Sequence, residues 1–378
     1  MTLHPTNLFP LTVVLPSRIP RRKPSLNTTP SPTPKPTHRP SRPHPTVVVP
    51  ETKIPIPTTI PSTLARARIH TDCDSDDSLS TTSEQSHIAS NFAFAFDIDG
   101  VLIRGGEVIP EAKAALRILN GENEEGIKVP YIFVTNGGGK TEEERCNDLS
   151  RQLDIPVSPQ QFICGHTPMR EMAARHHTVL VVGGVGEKCR HVAESYGFRD
   201  VVTPGDLIKW NPSVAPFRKL TQVEHANSRT RDFSTVDIEA IFVFADSRDW
   251  ACDAQIILEL LMSKGGRMGT ESETHEEGPT VYFSHNDIVW STEYMLTRYG
   301  MGALRLMIET LYERTTGKRL ETVAFGKPQR GTFEYATRVL AQWRKDVFGE
   351  TGAPDTVYFV GDTPESGITP FTPPKKLS

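Results

Sequence analysis

The sequence has few cysteines and no long apolar run. Its five cysteines are widely spaced and form no C-x-x-C pair. This spacing argues against a zinc site or a redox dithiol and favours free thiols in a reducing compartment. The longest apolar stretches, such as residues 241–245, are far shorter than the roughly 18 residues that span a membrane. No integral membrane segment is therefore expected.

Acidic residues are scarce at the start of the chain. The first 71 residues contain ten Lys or Arg residues and a single acid, Glu51, whereas the rest contains 32 basic and 45 acidic residues. The acidic remainder does not indicate a nucleic-acid partner. The first 61 residues also hold 16 of the 31 prolines, which favour extended conformations. We expect residues 1–90 to be disordered, as a mitochondrial transit peptide or as the untargeted tail of a cytoplasmic protein.

Strand patterns alternate with helical patterns from residue 92 onwards. An apolar strand is predicted at residues 92–96, a helix with Pro110 in its first turn follows, and a second strand is predicted at 131–134. Further strands are predicted at 178–182, 240–244, 281–283, 322–325 and 357–360, and helices at 254–262 and 332–343. This alternation predicts an α/β fold with mainly parallel strands.

Two carboxylates, Asp97 and Asp99, directly follow the first strand. Open parallel sheets bind ligands beyond the carboxyl ends of their strands, and side chains two residues apart share a face. Both carboxylates can therefore contact the same substrate. Their mutual repulsion separates their pKa values, so that one can act as a nucleophile while the other carries a proton. A carboxylate nucleophile can form a phosphoaspartate intermediate.

The segment Asp-Ile-Asp-Gly-Val at residues 97–101 resembles the first motif of the haloacid dehalogenase-like hydrolase superfamily. Val-Thr-Asn-Gly-Gly at 134–138 is similar to the second motif and Phe-Gly-Lys-Pro at 325–328 to the third. The fourth motif resembles residues 357–362, where an apolar strand ends in Gly-Asp. The resemblance implies a Rossmann-like parallel sheet and a Mg²⁺-dependent phosphatase that acts on a small phosphorylated metabolite.

The resemblance also implies a role for each motif residue. Asp97 attacks phosphorus, and Asp99 protonates the leaving group and later activates water. The phosphoryl group is bound by Thr135, Asn136 and Lys327. Mg²⁺ is held by Asp97, Asp99 and Asp362.

Some of these residues also have simpler explanations. Thr135 alone is equally typical of a turn or a helix N-cap, and an isolated lysine such as Lys327 is usually a surface charge. Asp287 resembles a residue that faces the substrate in relatives, although a turn residue is the open alternative. Asp246 and Asp249 are candidates for a substrate-binding ion cluster with Arg248, although exposed loop charges usually contribute little.

The 191 positions from Asn136 to Lys327 leave room for an inserted domain. In the superfamily, an insertion here is an α/β cap of the second class, typical of subfamily IIA. The predicted boundaries are 91–145 and 316–378 for the core and 146–315 for the cap. The chain looks most similar to the cat eye syndrome critical region protein family and its fungal relatives, generally mitochondrial proteins, through residues 94–102, 166–169, 181–198 and 246–250.

The resemblance fails after Asp362. The family's fourth motif continues to a second aspartate, but Gly367 stands there, and a Pro-rich tail follows. We therefore expect a truncated C-terminal part with weakened Mg²⁺ binding. Two other functions stay open: a catalytically silent binding or assembly protein, and a role in phospholipid synthesis, which some fungal relatives suggest. The sequence carries no signal for the oligomeric state.

Overall fold

The computed structural model describes residues 11–14, 88–290, 292, 294–352 and 354–362. Most of the region predicted to be disordered (1–90) and the predicted truncated tail, including Gly367, lie outside these residues. Within the N-terminal region, Leu11–Val14 forms a strand that the sequence did not predict. No helix in the described part of the chain is long and apolar enough to cross a membrane.

The described strands and helices are numbered here in chain order. The strands are β1 (Leu11–Val14), β2 (Phe92–Phe96), β3 (Ile103–Arg104), β4 (Glu107–Val108), β5 (Tyr131–Val134), β6 (Phe162–Ile163), β7 (Thr178–Val182), β8 (Asp200–Val202), β9 (Ala240–Val243), β10 (Thr280–Phe283), β11 (Val289–Trp290), β12 (Arg298–Tyr299), β13 (Val323–Ala324) and β14 (Thr356–Val360). The α-helices are α1 (Pro110–Leu119), α2 (Glu142–Leu153), α3 (Lys188–Ser195), α4 (Pro204–Trp210), α5 (Gln222–Asn227), α6 (Trp250–Met262), α7 (Met301–Thr316) and α8 (Arg330–Phe348).

Two five-stranded sheets, each parallel throughout, organise the described residues. The first has the strand order β1-β14-β2-β5-β6 and the second the order β13-β10-β9-β7-β8. Two antiparallel hairpins, β3 with β4 and β11 with β12, lie outside these sheets. The predicted parallel α/β fold is confirmed.

The first sheet is built around β2, in which large and small side chains alternate. Ala93 and Ala95 face α8 and pack with Ala336 and Leu340 of that helix. Phe96 lies on the opposite face, which also holds Leu149 of α2. Alanine on one face lets α8 approach the sheet closely, because successive side chains of a strand point to opposite sides.

The second sheet has continuously apolar central strands. Every residue of β7 and β9 is buried, as expected for parallel strands that are covered on both faces. On one face, α6 and α7 contribute Ile256, Leu260 and Ile308 to the core. Four of its strands, β7, β8, β9 and β10, lie within the segment that was predicted to be a cap, and β13 lies beyond residue 315.

The strand pairing differs from the predicted domain boundaries at residues 145 and 315. Residue 146 lies inside α2, whose buried Leu149 and Leu153 pack in the core of the first sheet, and β6 pairs with β5 of that sheet. At the other boundary, β13 still pairs with β10 of the second sheet. The strand pairing therefore favours an insertion between Ile163 and Ala324, and the predicted boundaries stay a prediction.

Candidate functional site

Asp97 lies directly beyond β2, where the chain emerges between β14 and β5. Its backbone N–H donates to the carbonyl of Val360 at 2.8 Å, and its Oδ1 accepts from the N–H of Ile98 at 2.8 Å. Its Oδ2 lies 2.5 Å from Nζ of Lys327. These contacts fix the carboxylate at the carboxyl edge of the first sheet, as the sequence predicted for this residue.

The environment of Asp97 shifts its protonation equilibrium. Burial raises the pKa of this carboxyl, and the nearby charge of Asp362 adds to the rise. The charge and hydrogen bond of Lys327 lower the pKa, but the net direction is upward. Lys327 thus partly offsets the cost of burying a carboxylate.

Lys327 is almost completely buried, with 1% of its surface exposed. The side-chain amide of Asn136 holds its backbone, because Oδ1 accepts from the Lys327 N–H at 2.7 Å and Nδ2 donates to the Lys327 carbonyl at 3.0 Å. Nδ2 of Asn136 also lies 3.0 Å from both carboxylate oxygens of Asp287. Asn136 thereby links β5, Lys327 and Asp287, which follows β10 of the second sheet. The second sheet with the helices packed on it is called the second domain below.

The side chains of Thr135 and Asp99 both lie near Gly137. A methyl group on Gly137 would lie 3.5 Å from Oγ1 of Thr135 and 3.5 Å from Oδ2 of Asp99. Thr135 is buried at the end of β5, and its hydroxyl oxygen accepts from the Gly137 N–H at 3.1 Å. Asp99 is exposed. The structure therefore brings together the predicted hydroxyl donor and the predicted acid.

Asp362 packs against the backbone of Gly100. Gly100 has a φ of +86°, and a methyl group there would lie only 2.2 Å from Oδ2 of Asp362. Because Asp362 also raises the pKa of Asp97 through its charge, the two carboxylates lie close enough to interact. An all-oxygen donor set of this kind suits Mg²⁺. Asp97 and Asp362 are therefore close enough to share an ion, and the metal site of Asp97, Asp99 and Asp362 stays a prediction.

A cavity of about 240 Å³ lies next to Asp99. Its lining includes Gly137 and Gly138 of the loop after β5 and two basic residues, Lys140 and Arg145. Asp99 also lines the cavity and Lys140 pairs with Asp148 at 2.6 Å, so the lining carries charges of both signs.

The second domain contributes His285, which lies between two carboxylates. Its Nδ1 is 3.5 Å from Oδ2 of Asp287, and its Nε2 is 3.6 Å from Oδ2 of Asp246. Burial alone would raise the pKa of Asp246, but the hydrogen bond and charge of His285 and the charge of Arg248 lower it below its usual value. The sequence did not indicate His285, because its two partners are recognisable only once the strands are in register.

The predicted ion cluster around Asp246 has a different arrangement. Arg248 donates to the backbone carbonyl of Asp246 at 3.0 Å. Asp249 caps α6 by accepting from the Cys252 N–H and pairs with Arg218 at 3.2 Å. Asp249 therefore stabilises the start of a helix, whereas Asp287 contacts Asn136 directly and Asp246 contacts His285. The predicted contact of Asp287 and Asn136 with substrate stays a prediction.

Comparison with known proteins identifies the family. The profile of the haloacid dehalogenase-like hydrolases matches residues 94–199. A mitochondrial hydrolase of Saccharomyces cerevisiae is 38% identical over 301 residues, which cover 74% of this chain and 84% of the relative. A fusion protein of Schizosaccharomyces pombe, named as cardiolipin synthase and mitochondrial hydrolase, is 39% identical over 289 residues, which are 76% of this chain and 47% of the fusion.

A solved structure shows the same fold. It is described as a possible sugar phosphatase of the HAD superfamily from Cytophaga hutchinsonii, and the two proteins share 15% identity with a TM-score of 0.50. The match covers 74% of this chain and 80% of that one. The extent and identity of the yeast match, together with the matching profile, show that the chain belongs to the haloacid dehalogenase-like hydrolases.

Proposed function

We propose that this hydrolase is a phosphatase that cleaves a phosphate monoester of a small metabolite through an aspartyl-phosphate on Asp97. The observation that carries the proposal is the contact between Lys327 and Asp97, a buried cation against a buried carboxylate at the end of the central strand. Phosphoryl transfer depends chiefly on positioning and charge neutralisation, and this pair supplies both.

The proposed reaction has two steps. In the first, a carboxylate oxygen of Asp97 forms a bond to phosphorus, the bond to the leaving oxygen breaks, and Asp99 gives that oxygen its proton. In the second, Asp99 takes a proton from water, the water oxygen attacks phosphorus, and the bond to Asp97 breaks to release inorganic phosphate. Thr135 and Lys327 donate hydrogen bonds to the phosphoryl oxygens in both steps. The exposure of Asp99 lets it exchange protons with solvent.

The proposed metal site consists of the carboxylates of Asp97 and Asp362 and the main-chain carbonyl of Asp99. Mg²⁺ bound there would neutralise phosphoryl charge and orient the phosphate toward Asp97. The contact of Asp362 with Gly100 supports this proposal, because it holds a second carboxylate beside the loop that carries Asp99.

The relatives support the same class of reaction. The Cytophaga hutchinsonii protein is described as a possible sugar phosphatase, and the relative from Saccharomyces cerevisiae is a mitochondrial hydrolase.

The name of the Saccharomyces cerevisiae relative also bears on location. We propose a mitochondrial location for this chain, with the cytoplasm as the alternative. The comparisons do not favour a catalytically silent protein or a phosphatidyl synthase.

The test is hydrolysis of p-nitrophenyl phosphate in the presence of MgCl₂. The parent protein should release p-nitrophenol, and Asp97→Asn should abolish release while the exposed control Asp346→Asn retains it. A mass increase of one phosphoryl group on the peptide that contains Asp97, after acid quenching, would identify the intermediate. An Asp97→Asn variant as active as the parent would overturn the mechanism.

A calorimetric Mg²⁺ titration tests the metal site separately. Site-specific binding that is lost in Asp362→Ala supports the proposed ligands and counts against a silent binding protein. Equal Mg²⁺ binding by the parent and by Asp362→Ala would remove Asp362 from the site.

A further inference from the structure

A second group of polar side chains is buried where the chain passes from the first domain to the second. Glu142 begins α2, His166 follows β6, and Tyr196 directly follows α3 of the second domain. His166 is completely buried, and Glu142 is 7% exposed. Polar groups at this depth need hydrogen-bond partners, and the described contacts form one continuous chain.

The direction of each hydrogen bond in this series follows from the groups at its two ends, the Gly139 N–H and the Glu142 carboxylate. The Gly139 N–H can only donate, and it does so to Nε2 of His166 at 3.2 Å. Nε2 therefore carries the lone pair and Nδ1 the proton, so that Nδ1 donates to the Tyr196 hydroxyl at 2.8 Å. The Tyr196 hydroxyl in turn donates to Oε1 of Glu142 at 2.5 Å. Burial lowers the pKa of His166 to about 4, which agrees with a neutral ring at pH 7.

A metal site is the competing explanation for this cluster. Donor atoms of Glu142, Cys164 and His166 lie within 4.8 Å of one another. However, both ring nitrogens of His166 are already engaged, one by a backbone N–H and the other by Tyr196. Glu142 Oε1 also accepts from the Thr167 hydroxyl at 2.8 Å. The geometry therefore fits a hydrogen-bonded chain better than a set of open ligands.

This series of hydrogen bonds joins the proposed phosphoryl site to the second domain. Gly139 ends the loop that begins with Thr135 and includes Gly137, whose N–H bonds the Thr135 hydroxyl. The His166 ring stacks on Phe244 of the second domain, with centroids 5.3 Å apart and planes at 12°. A methyl group on Gly138 would lie 2.8 Å from Cδ2 of His166, so the ring also packs directly against the loop.

We propose that Gly139, His166, Tyr196 and Glu142, the His166 chain, position the 135–139 loop for phosphoryl transfer and link its geometry to the placement of the second domain. His166 and Tyr196 are positioning residues, because they act on Thr135 through the loop. This role rests on the proposed phosphatase function. A displacement of about 1 Å in a positioning group can cost about a hundredfold in rate.

The test compares Tyr196→Phe with Tyr312→Phe. Each variant removes one hydroxyl and keeps the ring, but the Tyr312 hydroxyl bonds the His275 carbonyl, away from the loop. Tyr196→Phe should lower kcat for p-nitrophenyl phosphate by about tenfold to a hundredfold with KM changed less than about threefold. It should also speed hydrogen exchange of the amides in residues 135–141. Tyr312→Phe should leave both properties as in the parent.

Hydrogen exchange separates this proposal from the phosphatase assignment. If the parent hydrolyses no phosphoester, the proposed function fails, while faster loop exchange in Tyr196→Phe alone still supports the link between the loop and the second domain. Unchanged exchange and unchanged kcat in Tyr196→Phe would overturn the His166 chain. Stoichiometric Zn²⁺ binding that is lost in Cys164→Ser would overturn it in favour of a metal site.

Discussion

The ammonium of Lys327 lies 2.5 Å from Oδ2 of Asp97, although 229 residues separate the two in the chain. Asn136 holds the backbone of Lys327 from the next strand, so the ammonium is positioned by the first sheet. Burial and the charge of Asp362 raise the pKa of Asp97, and the charge and hydrogen bond of this cation lower it.

Removal of this cation should reduce phosphatase activity strongly. In Lys327→Met the stem still fills its space, but Asp97 loses the group that lowers its pKa and the phosphoryl oxygens lose a positive charge. We expect kcat for p-nitrophenyl phosphate to fall by about 10²–10³-fold. Lys345→Met, at an exposed position of α8, should match the parent. Activity of Lys327→Met within twofold of the parent would contradict the assignment.

A second prediction concerns Gly100, whose Cα faces Asp362. An alanine there would place its methyl group 2.2 Å from Oδ2 of Asp362 and displace the carboxylate. The Mg²⁺ concentration for half-maximal phosphatase activity should therefore rise at least about tenfold in Gly100→Ala, as expected when a ligand to the metal is misplaced.

The matched control is Gly106→Ala. Gly106 has nearly the same φ, +85° against +86°, but nothing lies within 4 Å of an added methyl group. Backbone strain is therefore similar in both variants. If both alanine variants raise the Mg²⁺ requirement equally, strain rather than contact with Asp362 is the cause.

A third prediction concerns the stability of the second domain. Arg190 is buried and pairs with Asp206 at 2.8 Å, while it also donates to the Val201 carbonyl. Arg190→Met leaves Asp206 buried without its cation and should lower the free energy of unfolding by about 3–5 kcal/mol in a urea titration. Arg231 pairs with Asp200 at the surface, so Arg231→Met should cost only about 0–1 kcal/mol. An equal loss of unfolding free energy in Arg190→Met and Arg231→Met would mean that burial does not determine how much these ion pairs stabilise the fold.

Much of the first sheet and of the candidate site was readable from residue patterns. Continuous apolar runs gave the bounds of β2 and β5 correctly, and the parallel pairing of these strands puts Asp97 and Thr135 at the same edge of the sheet. The pairing of β6 with β5 was not predicted, because β6 has only two residues and therefore shows no periodicity, and the predicted domain boundaries stay a prediction. β1 lies between prolines at positions 10 and 16, and this proline-rich context led to the prediction of disorder.

The contacts that link the two domains could not be predicted. Tyr196 and Glu142 are 54 residues apart and meet only when α3 of the second domain packs near the start of α2. His166 was recognised only as part of a segment shared with relatives, and neither spacing nor periodicity indicates that Gly139 donates to its ring. Such contacts depend on how two sheets pack, which a single sequence does not encode in a local pattern.

The last prediction is a pH dependence that arises in α6. Burial raises the pKa of Asp253 to about 6, more than a hydrogen bond from Ser247 lowers it, and the charge of Asp249 adds to the rise. Because folding raises this pKa, the protonated carboxyl favours the folded state. The contribution to stability is complete below the unfolded pKa of 3.8 and is lost as the pH rises through about 6. The neutral variant Asp253→Asn should therefore be more stable than the parent at neutral pH.

The difference in unfolding free energy between Asp253→Asn and the parent should grow with pH. We expect about 1.5 kcal/mol at pH 5 and about 3 kcal/mol at pH 7.5, from urea titrations at each pH. Asp346→Asn is the control, because Asp346 is exposed on α8 and solvent screens its charge. A constant difference across this range would show that Asp253 titrates alike in the folded and unfolded chains, and that burial in α6 does not raise its pKa.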